Sequence, residues 1–248
     1  ISLLLTQDRA SARRFWALGF GNILQVTGNL KFELAIPAQT AKLVTEFAPR
    51  LKSRLLWVAA STHAGEDEQL MALYPRLKQR FPELLLLLVP RHPERFDKVA
   101  QLAQAQGYHV WRRSSGQLPE ADTEIAIGDS MGELLAWYQL ADLVFIGGSL
   151  IERGGHNPLE AICFGKAVQS GPHIFNFNEA YRQLQQQQAV VLVADSEQLF
   201  ASSCQLLSDV SLRQQLGQRA KQFFSKQQGA TARTLDAIHL LISGSAMQ

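Results

Sequence analysis

The chain has 248 residues, 46% hydrophobic and 19% charged, which is the make-up of a globular protein with length for one large domain or two small ones. Its 24 basic residues nearly balance its 22 acidic ones, so charge gives no argument for a nucleic acid or a strongly anionic partner surface. Cys163 and Cys204 are too few for a disulfide framework or a zinc site, and the longest apolar run, six residues from Leu84 to Val89, is far short of the ~20 a membrane helix needs.

Residues 1–28 read as a strand (2–6), a helix (8–18, ended by Gly19) and a second strand (22–27). So small a piece cannot bury a core by itself. The chain opens Ile1-Ser2-Leu3-Leu4-Leu5, without initiator Met or signal peptide, as if inside a strand. It therefore reads as part of a longer protein. Gly28-Asn29-Leu30-Lys31-Phe32 and Pro37 read as a linker. The expected division is 1–30, the last piece of an N-terminal domain that otherwise lies outside this sequence, and 31–248, a C-terminal domain.

From Leu55 the pattern alternates regularly. Strands are expected over 55–60, 84–89, 108–112, 124–127, 143–146, 167–169 and 189–193. Helices are expected over 66–80, 94–106, 131–140, 158–164 and 178–187, and then over 196–207, 211–225 and 231–242. The glutamine run 185–188 reads as a solvated helix face. Strands alternating with helices mean βαβ units, hence an α/β fold with a parallel, Rossmann-like sheet and helices on both faces. Ligands of such sheets bind beyond the carboxyl ends of the strands.

Four loops follow strands at that edge. The richest is Gly147-Gly148-Ser149-Leu150-Ile151-Glu152-Arg153-Gly154-Gly155-His156-Asn157-Pro158-Leu159-Glu160. Asn157 suits a helix cap, Pro158 the first helical position, and Glu160 the first turn. Alone, that is an ordinary helix start; four glycines before it add room for a ligand at the amide-rich, positive end of the helix. The loop is neither GxGxxG nor a P-loop. Ser61-Thr62-His63-Ala64-Gly65 is equally a plain cap or a phosphate or carboxylate contact. In Pro90-Arg91-His92-Pro93, two prolines stiffen the turn that presents Arg91. Arg91 is either a bidentate phosphate ligand or a surface partner of Glu94. Gly128-Asp129-Ser130-Met131-Gly132-Glu133 is either a capping box from Ser130 to Glu133 or a backbone contact to a base or phosphate. Four such loops on one edge point to a shared small-molecule site for a nucleotide or sugar phosphate, with a carboxylate for vicinal ribose hydroxyls. The histidines lack HExxH spacing, His156 reads as a loop hydrogen-bonder, and no GxSxG elbow or Asp-x-Asp pair occurs. Glu66-Asp67-Glu68 reads as the acidic first turn of a helix.

Five stretches in register then carry a resemblance: Thr27-Gly28-Asn29-Leu30-Lys31-Phe32, Val58-Ala59-Ala60-Ser61-Thr62-His63, Leu88-Val89-Pro90-Arg91-His92-Pro93-Glu94-Arg95, Gly128-Asp129-Ser130-Met131-Gly132-Glu133 and Gly154-Gly155-His156-Asn157-Pro158-Leu159-Glu160. In order and spacing, over essentially the whole chain, they resemble the 3-deoxy-D-manno-octulosonic acid (Kdo) transferases of lipopolysaccharide synthesis, most of all the enterobacterial and related gammaproteobacterial forms. The resemblance implies the C-terminal domain of a GT-B glycosyltransferase. The donor would be CMP-Kdo, the acceptor the lipid A precursor, and transfer inverting, without metal or other cofactor. It implies CMP contacts at Pro90, Arg91, Met131, Gly132, Glu133, Asn157, Pro158, Leu159 and Glu160. From their chemistry, Arg91 is assigned to the phosphate, Glu160 to the ribose hydroxyls and the backbone of the loop Met131–Glu133 to the cytosine. Weaker candidates are Lys31 and Ser61 for the Kdo carboxylate, and Gly154, Gly155 and His156.

The family's general base is a glutamate of the N-terminal domain that nothing here matches. No catalytic residue is therefore expected in this chain, which alone should bind and not transfer. The same missing half is implied to carry the membrane association at the cytoplasmic face of the inner membrane and most acceptor contacts; this piece alone is expected to be soluble. The departures are Ser130 where Thr is expected and Ala161 where Pro often follows the glutamate. Two other readings stay open: a GT-B nucleotide-sugar epimerase, and a non-catalytic nucleotide-binding module.

Overall fold

The structure is a computed structural model describing residues 1–244. The chain forms two compact units: Ile1–Ala35 with the chain from Phe224 on, and Ile36–Phe223. The first unit opens with β1 (Leu4–Thr6), α1 (Arg9–Phe15) and β2 (Leu24–Val26), and its two strands pair in parallel. Asp8 starts α1 by accepting the Ser11 N–H at 2.6 Å. The helix expected over 8–18 stops sooner and gives way to a wide π-turn, Trp16–Phe20. Around residue 30 the chain makes a single 3₁₀ turn, Leu30–Phe32.

The second unit runs α2 (Ala38–Leu51), β3 (Leu55–Thr62), α3 (Glu66–Arg80), β4 (Leu84–Pro90), α4 (Phe96–Ala105), β5 (Val110–Arg112), β6 (Ile125–Ile127), α5 (Leu134–Leu140), β7 (Leu143–Ile146), α6 (Leu159–Ile162), β8 (Ala167–Ser170), α7 (Asn178–Gln186), β9 (Val191–Leu192), α8 (Ser196–Ser208) and α9 (Val210–Gln227). Its strands form one sheet in the order β5-β6-β4-β3-β7-β8-β9, and every pairing is parallel. The leucine run of β4 is apolar throughout because helices cover both faces. Leu84, Leu86 and Leu88 join Trp57, Leu70, Tyr74 and Phe145 in the core under α3, α4 and α8. Leu85 and Leu87 share the opposite layer with Phe47, Leu51, Trp111 and Trp137. The helix α2, which the linker reading passed over, supplies that layer. Pro37 precedes its first turn, and Leu43, Phe47 and Leu51, spaced four apart, are its buried stripe. Phe47 meets the Trp137 ring edge-on at 5.0 Å.

The last helix, α10 (Ala230–Ile242), belongs to the first unit. The Arg233 guanidinium donates to the Thr27 carbonyl at 2.7 Å, and the Ala230 N–H donates to the Glu33 carboxylate at 2.7 Å. The cut expected at residue 30 left this helix in the larger part. The order of the sheet places the site. The chain steps from β3 to β4, continues to β5 and β6 on the same side, and returns to β7 on the other side of β3. The β3 and β7 loops therefore diverge across a crevice at the carboxyl edge, where open α/β sheets take ligands. Among the described residues no helix is long and apolar enough to cross a membrane.

Candidate functional site

A pocket of about 360 Å³ opens at that edge, large enough for a small ligand. Ser61 of β3 lines it, as do Val89, Pro90 and Arg91 at the end of β4. Ser130, Met131 and Gly132 come from the loop after β6, His156 and Asn157 from the loop after β7, and Glu160 from α6. Leu134 and Tyr138 of α5 and Phe177 complete the wall. Pro90, Arg91, Met131, Gly132, Asn157 and Glu160, expected from the sequence, thus share one pocket with the weaker candidates Ser61 and His156.

The other candidates stand elsewhere. Glu133 points its carboxylate to Arg113, at 2.9 and 3.0 Å, and to the Ser130 hydroxyl at 2.5 Å. The expected capping box is thus replaced by an ion pair. The helix expected from residue 131 begins only at Leu134, because Gly132 takes φ +79° and breaks the helical path. Pro158 and Leu159 are buried at the start of α6. Gly154 and Gly155 are buried in the loop; a Cβ on Gly154 would collide with the side chains of Phe175 and Asn176. Gly154 thus serves a close approach within the protein. Lys31 belongs to the first unit, where its N–H donates to the Asn29 side chain at 2.9 Å.

Two charges of opposite sign face the pocket. Arg91 is exposed, and its guanidinium has no hydrogen bond or ion pair among the described residues. Its backbone N–H donates to the Thr62 carbonyl at 3.0 Å, tying the end of β4 to β3. Glu94 lies 3.9 Å from His92, so the surface pair with Arg91 does not form. Glu160 is half-buried; burial pushes its carboxyl above the ordinary range, offset by an Asn157 hydrogen bond and by the Arg91 charge. Asn157 does two jobs: its amide donates to Glu160 at 3.3 Å and its carbonyl oxygen caps the Leu159 N–H at 3.0 Å. Beside them, burial holds the Tyr138 phenol well above its usual value, so it stays protonated.

The glycine-rich loop departs from expectation. Its Gly148, Ser149 and Leu150 amides are not open to a ligand anion, because the fully buried Glu66 of α3 takes them. One oxygen of Glu66 accepts N–H groups from Gly148 at 2.6 Å and His63 at 3.0 Å. The other accepts from Ser149 at 2.9 Å and Leu150 at 3.0 Å. Asp67 is also buried, held by the Thr62 hydroxyl at 2.6 Å and by Arg95. The acidic first turn of α3 is therefore an internal clamp as well as a complement to the helix dipole.

A second tie crosses the same crevice. The Nε2 atoms of His63 and His156 lie 2.7 Å apart, with the rings 3° from parallel. His156 is the loop hydrogen-bonder expected of it, with His63 as the partner. Desolvation, then the neighbouring charges, lowers both imidazoles, His156 to about 4. No individual role was expected for His63, Val89, Leu134, Tyr138 or Phe177; His63 and Val89 stood only within longer stretches, and Tyr138, an aromatic with a polar tip inside an apolar helix, carried a signal of its own.

No family model matches the chain. The 3-deoxy-D-manno-octulosonic acid transferase of Haemophilus influenzae is 39% identical over 241 residues, covering 96% of this chain and 56% of that protein. The chain thus spans little more than half the length of this curated relative. Among solved structures, the C-terminal CMP-Kdo binding domain of WaaA from Acinetobacter baumannii is 35% identical with a TM-score of 0.69, covering 74% of this chain and 95% of that domain. Anabaena Alr3699/HepE in complex with UDP matches with a TM-score of 0.56 at 16% identity over 98% of this chain and 64% of its own, a likeness of fold.

Proposed function

The chain belongs to the 3-deoxy-D-manno-octulosonic acid transferase family, as its C-terminal, donor-binding part, and on that premise we propose that its pocket binds the CMP portion of CMP-Kdo. The observation that carries this reading is the pairing of an unpartnered Arg91 with a half-buried Glu160 in one pocket. Arg91 neutralises the phosphate and stabilises charge on CMP as it leaves. Glu160, oriented by Asn157, accepts hydrogen bonds from the two ribose hydroxyls. The backbone turn at Met131 and Gly132 holds the cytosine edge. In the whole protein, transfer to the lipid A precursor is inverting and needs no metal. A carboxylate upstream of this chain removes the acceptor hydroxyl's proton. The 248-residue chain then binds CMP and transfers nothing. The relatives at 39% and 35% identity favour this over an epimerase or a non-catalytic module. Calorimetric titration with CMP and UMP, repeated on Glu160→Ala, tests it. CMP-selective binding lost in the variant is expected; equal binding of CMP and UMP, or binding that survives the substitution, overturns the assignment.

A further inference from the structure

The proposed nucleotide contacts leave part of the pocket unassigned. With the base at Met131 and Gly132, the ribose at Glu160 and the phosphate at Arg91, the polar lining residues without an assignment include Ser61 and His156. Arg91 stands at the end of β4 and Ser61 on the neighbouring β3, the two strands tied there by the Arg91 N–H on the Thr62 carbonyl at 3.0 Å, while His63 follows β3 and His156 follows β7 on its other flank, so Ser61 is the near neighbour of the phosphate position.

Three observations mark that end as built for an anion. Ser61 is a non-glycine residue at φ +56°, sitting at the irregular step between Ala60 and Thr62 where β3 pairs with β4. A residue with a Cβ occupies that region at a cost, and such strain concentrates at ligand sites. The Ser61 hydroxyl has no hydrogen-bond partner among the described residues, although it lines the pocket. The His63–His156 contact, at 2.7 Å between Nε2 atoms, shares one proton, so His156 presents a ring N–H at Nδ1 whenever His63 is the donor. Around the pair stand Arg91, Arg95, Arg153 and His92, the last edge-on to His63 at 5.3 Å. Among the described residues Arg91 and Arg153 form no ion pair, while Arg95 is paired with Asp67. The nearby Glu66 carboxylate is engaged by four backbone N–H groups. Arg91 and Arg153 are thus cations without an ion pair among the described residues, beside hydrogen-bond donors at Ser61 and the imidazole pair.

We propose that Ser61, His63 and His156 form a sugar-side subsite that seats the carboxylate of the acidic sugar attached to the nucleotide. The inference rests on the nucleotide reading above. A hydroxyl and one imidazole N–H supply two donors, one for each oxygen of a single carboxylate, and the Gly148, Ser149 and Leu150 amides that would suit a further phosphate are already spent on Glu66. His63 acts through His156: it fixes the tautomer and ring orientation.

The test compares CMP-Kdo with CMP by calorimetry on wild type, His63→Gln, His156→Gln and Ser61→Ala, with CMP binding as the control for folding. Wild type is expected to prefer CMP-Kdo. In each variant that folds, CMP-Kdo affinity should fall by about tenfold or more, the loss of a hydrogen bond to a charged group, while CMP falls less than about threefold. Ser61→Ala removes only a hydroxyl and keeps the proposal testable should a histidine variant unfold. Variants that keep the wild-type ratio of the two affinities overturn the subsite, as does a wild type that binds both ligands equally. A wild type that binds no CMP overturns the nucleotide reading itself, and the subsite with it.

Discussion

Replacing Glu66 by Gln changes one buried atom's chemistry and almost nothing of its shape. In the structure both carboxylate oxygens are doubly used: Gly148 and His63 N–H groups on one, Ser149 and Leu150 N–H groups on the other, all within 2.6–3.0 Å. Glutamine keeps one acceptor and turns the other into an NH₂ donor. Whichever way the amide faces, two backbone N–H groups lose their acceptor and meet another donor. At about 1–3 kcal/mol for each buried group left unsatisfied, Glu66→Gln should cost about 2–6 kcal/mol. Urea unfolding at 25 °C reads this directly, provided the slope is unchanged. The same variant should weaken CMP, because the loop it holds leads into His156, Asn157 and Glu160 of the pocket. A stability within about 0.5 kcal/mol of wild type, the range of neutral surface changes, would refute the clamp.

Arg91→Ala should cost CMP about 1.5–3 kcal/mol, roughly tenfold to a hundredfold, and cytidine far less, since only CMP carries the phosphate; equal losses would remove the phosphate assignment. The His63–His156 pair should make the protein acid-sensitive. The folded pKa of His156 is lowered from 6.5 to about 4, so between those values the unfolded chain binds more protons and stability drops as the pH is lowered, levelling below about 4. Discounted for the ring's partial exposure, the loss is on the order of 1–2 kcal/mol. Chemical unfolding of wild type and His156→Gln at pH 7 and pH 5 checks it: wild type should lose ground to the variant at pH 5, and parallel behaviour would refute it.

What the sequence disclosed was what neighbours in the chain decide. The helix expected over 66–80 and the strand expected over 143–146 coincide with α3 and β7, because each rests on its own periodicity and flanks. Arg91 could be placed at the pocket because two prolines and an apolar strand fix its position locally. The unread parts depend on distant partners. Nothing near Glu66 says that its carboxylate will meet a loop 82 residues later, and nothing near His63 announces a histidine 93 residues away. Glu133 had the spacing of a cap, and Arg113, brought close by the β5–β6 pairing, took its carboxylate. The stripe of α2 is legible in principle, but Pro37 suits a linker as well as the helix start that it marks.

The order of the sheet also bears on how the chain is made. During synthesis β3, β4, β5 and β6 can assemble before β7 exists, since their pairings need nothing beyond residue 127. In that interval β3 has an open flank along Leu55–Thr62, a leucine- and tryptophan-bearing strand whose finished partner is β7. An apolar edge of that kind recruits other strands. A nascent chain halted between β6 and β7 therefore carries an apolar strand edge uncovered, and the arrival of Leu143–Ile146 both seals that edge and opens the ligand crevice.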